Sequence, residues 1–186
     1  MKDIEEMTEM WNRLDEKLSL LVKENSSLSR QIRESKLKTS RERLINRYWG
    51  FIILEAIWII LFPLMICYNP FVLDKYRVVT AIYWSLFFAL EMGVDIYLMT
   101  RLRQIDVFNQ TVDEISARAA DTWKIHKLSI IIGLPLAIGA VILFAASVGA
   151  NKEMMTGIFF GLGIGVVIGL LQLRKFLRDY DALRGK

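Results

Sequence analysis

Four stretches almost free of charge set the limits on what this chain can fold into. They are residues 48–68, 78–100, 128–150 and 154–173, each 20 to 23 residues long. Together these 87 residues carry 3 of the chain's 44 charged side chains, and the other 99 carry 41. A helix needs about 20 apolar residues to cross a hydrocarbon core roughly 30 Å thick. Four such lengths with no polar face would leave a soluble bundle nothing to present to water. The partition predicts an all-α integral membrane protein with four transmembrane helices, TM1 to TM4 in chain order. It excludes a globular enzyme built round one mixed core, and it excludes disorder.

Lys and Arg in the flanks set the expected orientation. Residues 1–47 carry 11, segment 101–127 carries 5 and the basic tail 174–186 carries 5, against 2 in the loop at Lys75 and Arg77 and 1 at Lys152. Both termini are therefore expected in the cytoplasm, with the protein in a plasma membrane of the bacterial inner-membrane type. The first 47 residues are charged and helical in pattern, unlike a cleavable signal peptide. Lys36, Lys38, Arg41, Arg43 and Arg47 precede the first span, where they suit anionic lipid headgroups. The pI near 9.2 follows from this asymmetry, and no nucleic-acid partner is expected.

The N-terminal segment carries a heptad pattern. Ile4, Met7, Trp11, Leu14, Leu18, Leu21, Asn25, Leu28 and Ile32 recur at alternating spacings of 3 and 4, an a/d seam of four heptads. Asn25 occupies an a position, where a buried amide disfavours other registers. The flanking g and e positions pair Met10 with Asp15, Lys17 with Val22 and Glu24 with Ser29, so no opposite charges cross the seam. Met10, Leu20 and Val22 widen the apolar surface, and Met7 and Met10 beside Trp11 form an adaptable, aromatic-anchored patch. Three partners fit this face: a second copy, a separate cytosolic protein, or segment 101–127 of the same chain. That segment has its own amphipathic spacing through Leu102, Ile105, Phe108, Val112, Ile115 and Ala119, and is expected to form a cytoplasmic helical element.

Three acids fall inside the spans. Glu55 lies seven residues into the first, roughly 10 Å deep, and Glu91 nine residues before the end of the second, roughly 13 Å from the same side. Asp95 follows Glu91 at i+4, on the same helix face. A central carboxylate costs on the order of 3 kcal/mol, and each Leu, Ile, Phe or Val returns about 0.3–0.6. The eleven such residues of the first span outweigh Glu55; the ten of the second barely outweigh two acids. The acids therefore call either for local partners (Ser85 or Tyr97 for Glu55; Arg101, Arg103 or Arg47 for Asp95) or for a functional cation or proton site.

The last span carries Gly157, Gly161, Gly165 and Gly169 at i+4 spacing, with Gly163 alongside. Small residues on one face let helix backbones approach closely. The short turn at 151–153 makes spans three and four a hairpin, with Gly133, Ala137 and Ala140 as candidate counterparts. The ladder reads as a packing seam, within the chain or between copies of a homo-oligomer.

Catalysis has no visible carrier. The single histidine, His126, abuts the third span and is expected at the membrane interface; no phosphate-binding loop, metalloprotease helix or nucleophile elbow occurs. No enzyme activity, catalytic residue, metal or cofactor is expected. Cys67 stands alone and is expected to be a buried thiol.

The charged helix 4–32, the basic stretch 36–47 and the multi-span body resemble small bacterial inner-membrane proteins that accompany extracytoplasmic-function sigma factors and act like anti-sigma factors. That resemblance implies a non-enzymatic, membrane-anchored regulatory role in signal transduction, with sigma sequestration by the N-terminal helix. The zinc-binding His/Cys pattern of some anti-sigma domains is missing here.

Overall fold

The structure, a computed structural model, describes residues 2–149 and 151–185, without the side chains of 2–6, 8, 9 and 12. The Ile4 side chain, expected to open the seam, and Ala150, expected to close the third span, lie outside the described residues. The elements are α1 (Lys2–Tyr68), α2 (Asp74–Arg103), α3 (Val112–Val148) and α4 (Lys152–Leu183), with no strand among the described residues. Each contains a stretch long and apolar enough to cross a membrane. The chain divides into two compact units, Met1–Thr39 and Ser40–Lys186.

The first unit is the amino-terminal part of α1. Arg30 Nε and Glu34 Oε1 pair at 2.8 Å across one turn, a contact worth a few tenths of a kcal/mol on an exposed helix. The hydroxyls of Ser19, Ser26 and Ser27 donate back to carbonyls three residues earlier. Met7, Trp11, Leu14, Leu18, Leu21, Leu28 and Ile32 are all exposed.

The second unit is an antiparallel bundle of the remainder of α1 with α2, α3 and α4. Short connections force neighbours antiparallel. At the end carrying Tyr48, the buried core is Leu44, Tyr48, Leu98, Leu102, Ile105, Ile115, Ala119, Trp123, Phe176, Tyr180 and Leu183. At the opposite end Ile66, Val72 and Ala81 pack with Phe62, Trp84 and Phe144.

Polar residues fix the turns. Asp106 Oδ1 accepts from the Phe108 and Asn109 amides at 2.9 and 3.3 Å, and Oδ2 from Asn109 Nδ2 at 2.6 Å. Those three bonds hold the half-buried Asp106 carboxyl below its ordinary pKa, the Asn109 side chain contributing most. Thr111 and Glu114 form a reciprocal capping box at the start of α3. Asn151 caps α4, its side chain accepting from the Met154 amide, and Gly149 supplies the positive φ of 68° that ends α3. Segment 101–127 is thus divided: α2 stops at Arg103 and α3 begins at Val112, because the Asp106 turn and the Thr111 cap interrupt the amphipathic run.

Residues 174–183 of the basic tail continue α4 and bury Phe176, Asp179, Tyr180 and Leu183 against the bundle. One further expectation is corrected. Cys67 is exposed rather than buried, because α1 turns its neighbour Ile66 inward to the core.

Candidate functional site

Glu55 of α1 and Glu91 and Asp95 of α2 line one cavity of about 400 Å³ inside the second unit. The i+4 spacing aims both α2 acids the same way, and Glu55 meets them from the facing helix. Aromatic side chains of Phe51, Phe87, Phe88 and Phe176 share the walls, with Ser129 and Gln172 as neutral polar groups. Glu55 Oε2 is buried without a hydrogen-bond partner. Of the local partners expected for these acids, Ser85, Arg101 and Arg47 bond other groups. Ser85 Oγ donates to the Ala81 carbonyl at 2.9 Å, and Tyr97 OH accepts from Arg101 Nε at 3.0 Å. Arg47 pairs with Asp179 at 2.8 Å.

Gly133 of α3 makes room for this arrangement. Glu91 Oε1 lies where a Cβ on residue 133 would stand, so any side chain there must displace the carboxylate. Gly133 therefore faces an acid of α2, not the glycine ladder of α4. The ladder itself has no counterpart among the described residues: a Cβ at Gly157, Gly161, Gly163, Gly165 or Gly169 meets none of their atoms within 4 Å. All of residues 159–171 are exposed, because α4 packs through its last turns instead.

Those last turns close the cavity at the Tyr48 end. The Tyr48 hydroxyl lies 3.0 Å from both His126 Nδ1 and the Tyr180 hydroxyl. Trp123 and Phe176 pack their rings on His126 at centroid distances of 5.4 and 4.9 Å. Arg47 sits 5.6 Å over the Phe176 ring while bonding the buried Asp179. His126 is therefore a buried, bonded member of a three-helix junction. The spacing of Phe176, Tyr180 and Leu183 (4 and 3) signals this face; the partners it meets have no local signature.

Basic residues ahead of the first span have protein contacts too. Arg41 donates from Nε to the Leu102 carbonyl at 3.1 Å and from Nη2 to the Arg103 carbonyl at 3.0 Å, satisfying the end of α2.

The seam residues Met7, Trp11, Leu14, Leu18, Leu21 and Leu28 stand in the first unit, apart in sequence from the cavity. Trp11 is 68% exposed and Leu21 64%, far more than single core-forming residues tolerate.

Comparison with protein-family models, with curated proteins and with solved structures finds no match in any of the three.

Proposed function

We propose that this chain is a non-enzymatic, membrane-anchored interaction protein that offers its N-terminal helix to a partner. The observation that carries the reading is the exposed apolar face from Met7 to Leu28 on the amino-terminal part of α1, which forms its own unit. Exposed apolar faces of this extent mark interaction surfaces. The distribution of Lys and Arg favours an inner-membrane location with both termini, and so this helix, in the cytoplasm. The partner is then a second copy or a cytosolic regulator, a sigma factor being the regulator that the resemblance in layout implies. Replacing Trp11→Glu together with Leu18→Glu tests it. Loss of self-association or of a co-purifying cytosolic protein is expected, and unchanged association of both kinds sinks the reading.

One observation favours a second reading, a cation or proton site within the bilayer. Three carboxylates line a single cavity, and one of their buried oxygens lacks a partner. Ionisable groups at membrane depth mark ion or proton pathways. Purified protein in liposomes decides: Glu55→Gln with Glu91→Gln should abolish any cation or proton flux of the wild type. Flux that persists in the double variant, or a silent wild type, removes this reading.

A further inference from the structure

We infer that the occupant of the N-terminal seam is a second copy of this chain, its helix parallel to the first and in register at Asn25. The inference rests on the interaction reading and narrows it to one partner.

The exposed area is adequate. Full burial of a large aliphatic side chain removes roughly 60–120 Å² from water. Seven apolar a and d residues, Met7 to Ile32, are exposed by about half to two-thirds. Burying what is exposed withdraws on the order of 250–500 Å² per helix from these seven alone, and Met10 and Val22, 60% and 62% exposed, carry it toward the ~800 Å² per partner of a stable interface.

Register follows from Asn25. In a parallel, in-register pair every a residue faces itself, so the amide N–H of one Asn25 can donate to the amide oxygen of the other. An antiparallel pair sets a against d, which here is Met or Leu at every heptad, and leaves the amide buried and unpaired. The flanks agree: parallel copies set Met10 beside Asp15, Lys17 beside Val22 and Glu24 beside Ser29, so no like charges oppose each other. Identical helices therefore do not repel. Two copies in one bilayer also begin their helices on the same side, which raises their effective concentration and favours the parallel arrangement.

The test uses the full-length chain in membranes with Cys67→Ser, so that one introduced thiol reports. Facing d positions of a parallel pair are close enough for a disulfide, whereas f positions point apart. On mild oxidation Leu21→Cys should give at least tenfold more disulfide-linked dimer than Lys23→Cys. Equal yields at the two positions, or no dimer at Leu21→Cys, overturn the inference. If Leu21→Cys is instead captured by a different protein, self-pairing is overturned while the interaction reading stands; if it is captured by nothing, both fall. Adding Asn25→Leu should keep the Leu21→Cys dimer but admit larger assemblies, read by light scattering in detergent because one thiol per chain links two copies at most, and an unchanged assembly size overturns the assigned register.

Discussion

The Tyr48 hydroxyl stands 3.0 Å from His126 Nδ1, although 78 residues separate them in the chain. Since the same hydroxyl reaches Tyr180, one oxygen joins α1, α3 and α4. Tyr48→Phe keeps the ring packing and leaves two buried polar groups short of a partner. A loss of about 1–3 kcal/mol is expected, read as a lower unfolding temperature in detergent or nanodiscs. Tyr180→Phe, which orphans one bond only, should cost less; equal costs would show that the hydroxyl network is not what holds the junction.

Arg47 and Asp179 make a second long-range link at the same end, with Asp179 only 2% exposed. Removing one partner strands a buried charge. Asp179→Ala should therefore destabilise the bundle by about 3–5 kcal/mol. The double replacement Arg47→Met with Asp179→Leu should recover most of that loss in the same thermal assay. Equal stability of Asp179→Ala and wild type would show the pair to be dispensable.

At Gly133 a methyl group competes with the Glu91 carboxylate for one position. The tip of a flexible side chain moves at little cost, so Gly133→Ala is expected to fold with near-wild-type stability. What should change is the cavity. Labelling by a carboxyl-reactive carbodiimide at Glu91 should differ at least severalfold from wild type, while that at Asp113 on the opposite flank of α3 stays constant. Identical labelling would mean that the cavity does not depend on this glycine.

Alanine is a better helix former than glycine by about 0.5–1 kcal/mol. Among the described residues nothing would touch a Cβ at Gly161 or Gly165. The double variant Gly161→Ala with Gly165→Ala should therefore leave the monomer as stable as wild type or more so. If copies of the chain come apart in this variant, as seen by light scattering or chemical crosslinking, the ladder is a seam between molecules. Unchanged assembly assigns that face to lipid.

The Asp106 turn carries a pH dependence. Its carboxyl pKa is lowered in the folded chain, chiefly by the Asn109 side chain. The turn therefore gains from the ionised form above the ordinary aspartate range near 4, and loses that gain as pH falls through the lowered value. Amide exchange at residues 106–110 should be slow at neutral pH and accelerate relative to intrinsic rates in acid. Asp106→Asn should flatten the profile, and a profile that keeps its acid limb in this variant excludes Asp106 as its source.

The four long helices were legible because a bilayer demands length and lack of charge, and both are visible in a string of letters. Glu91 and Asp95 on one face follow from helical period alone. That Glu55 joins them was only a matter of matching depth, since sequence carries no term for which helix lies beside which. Lateral order is also why the small-residue pattern matches Gly133 to the ladder of α4 whereas the fold sets it against Glu91 of α2. Long-range partners were hidden for the same reason: Asp179 reads as one charge in a basic stretch until the fold places Arg47 next to it. The Asp106 turn is hidden in the sequence because the apolar spacing of 101–127 continues through it, and hydrogen bonds over two and three residues override that spacing.

Arg41 has a mechanical meaning. Its guanidinium grips the last carbonyls of α2 just beyond the boundary of the N-terminal unit. A pull or torque entering the bundle at residue 40 is thereby shared with α2 within one residue, through two directional bonds. The same rod holds Glu91 and Asp95. Residue 41 is thereby tied to the helix that lines the acidic cavity, and replacing Arg41 would strip two carbonyls of these partners while the buried Leu98 and Leu102 still hold that helix in the bundle.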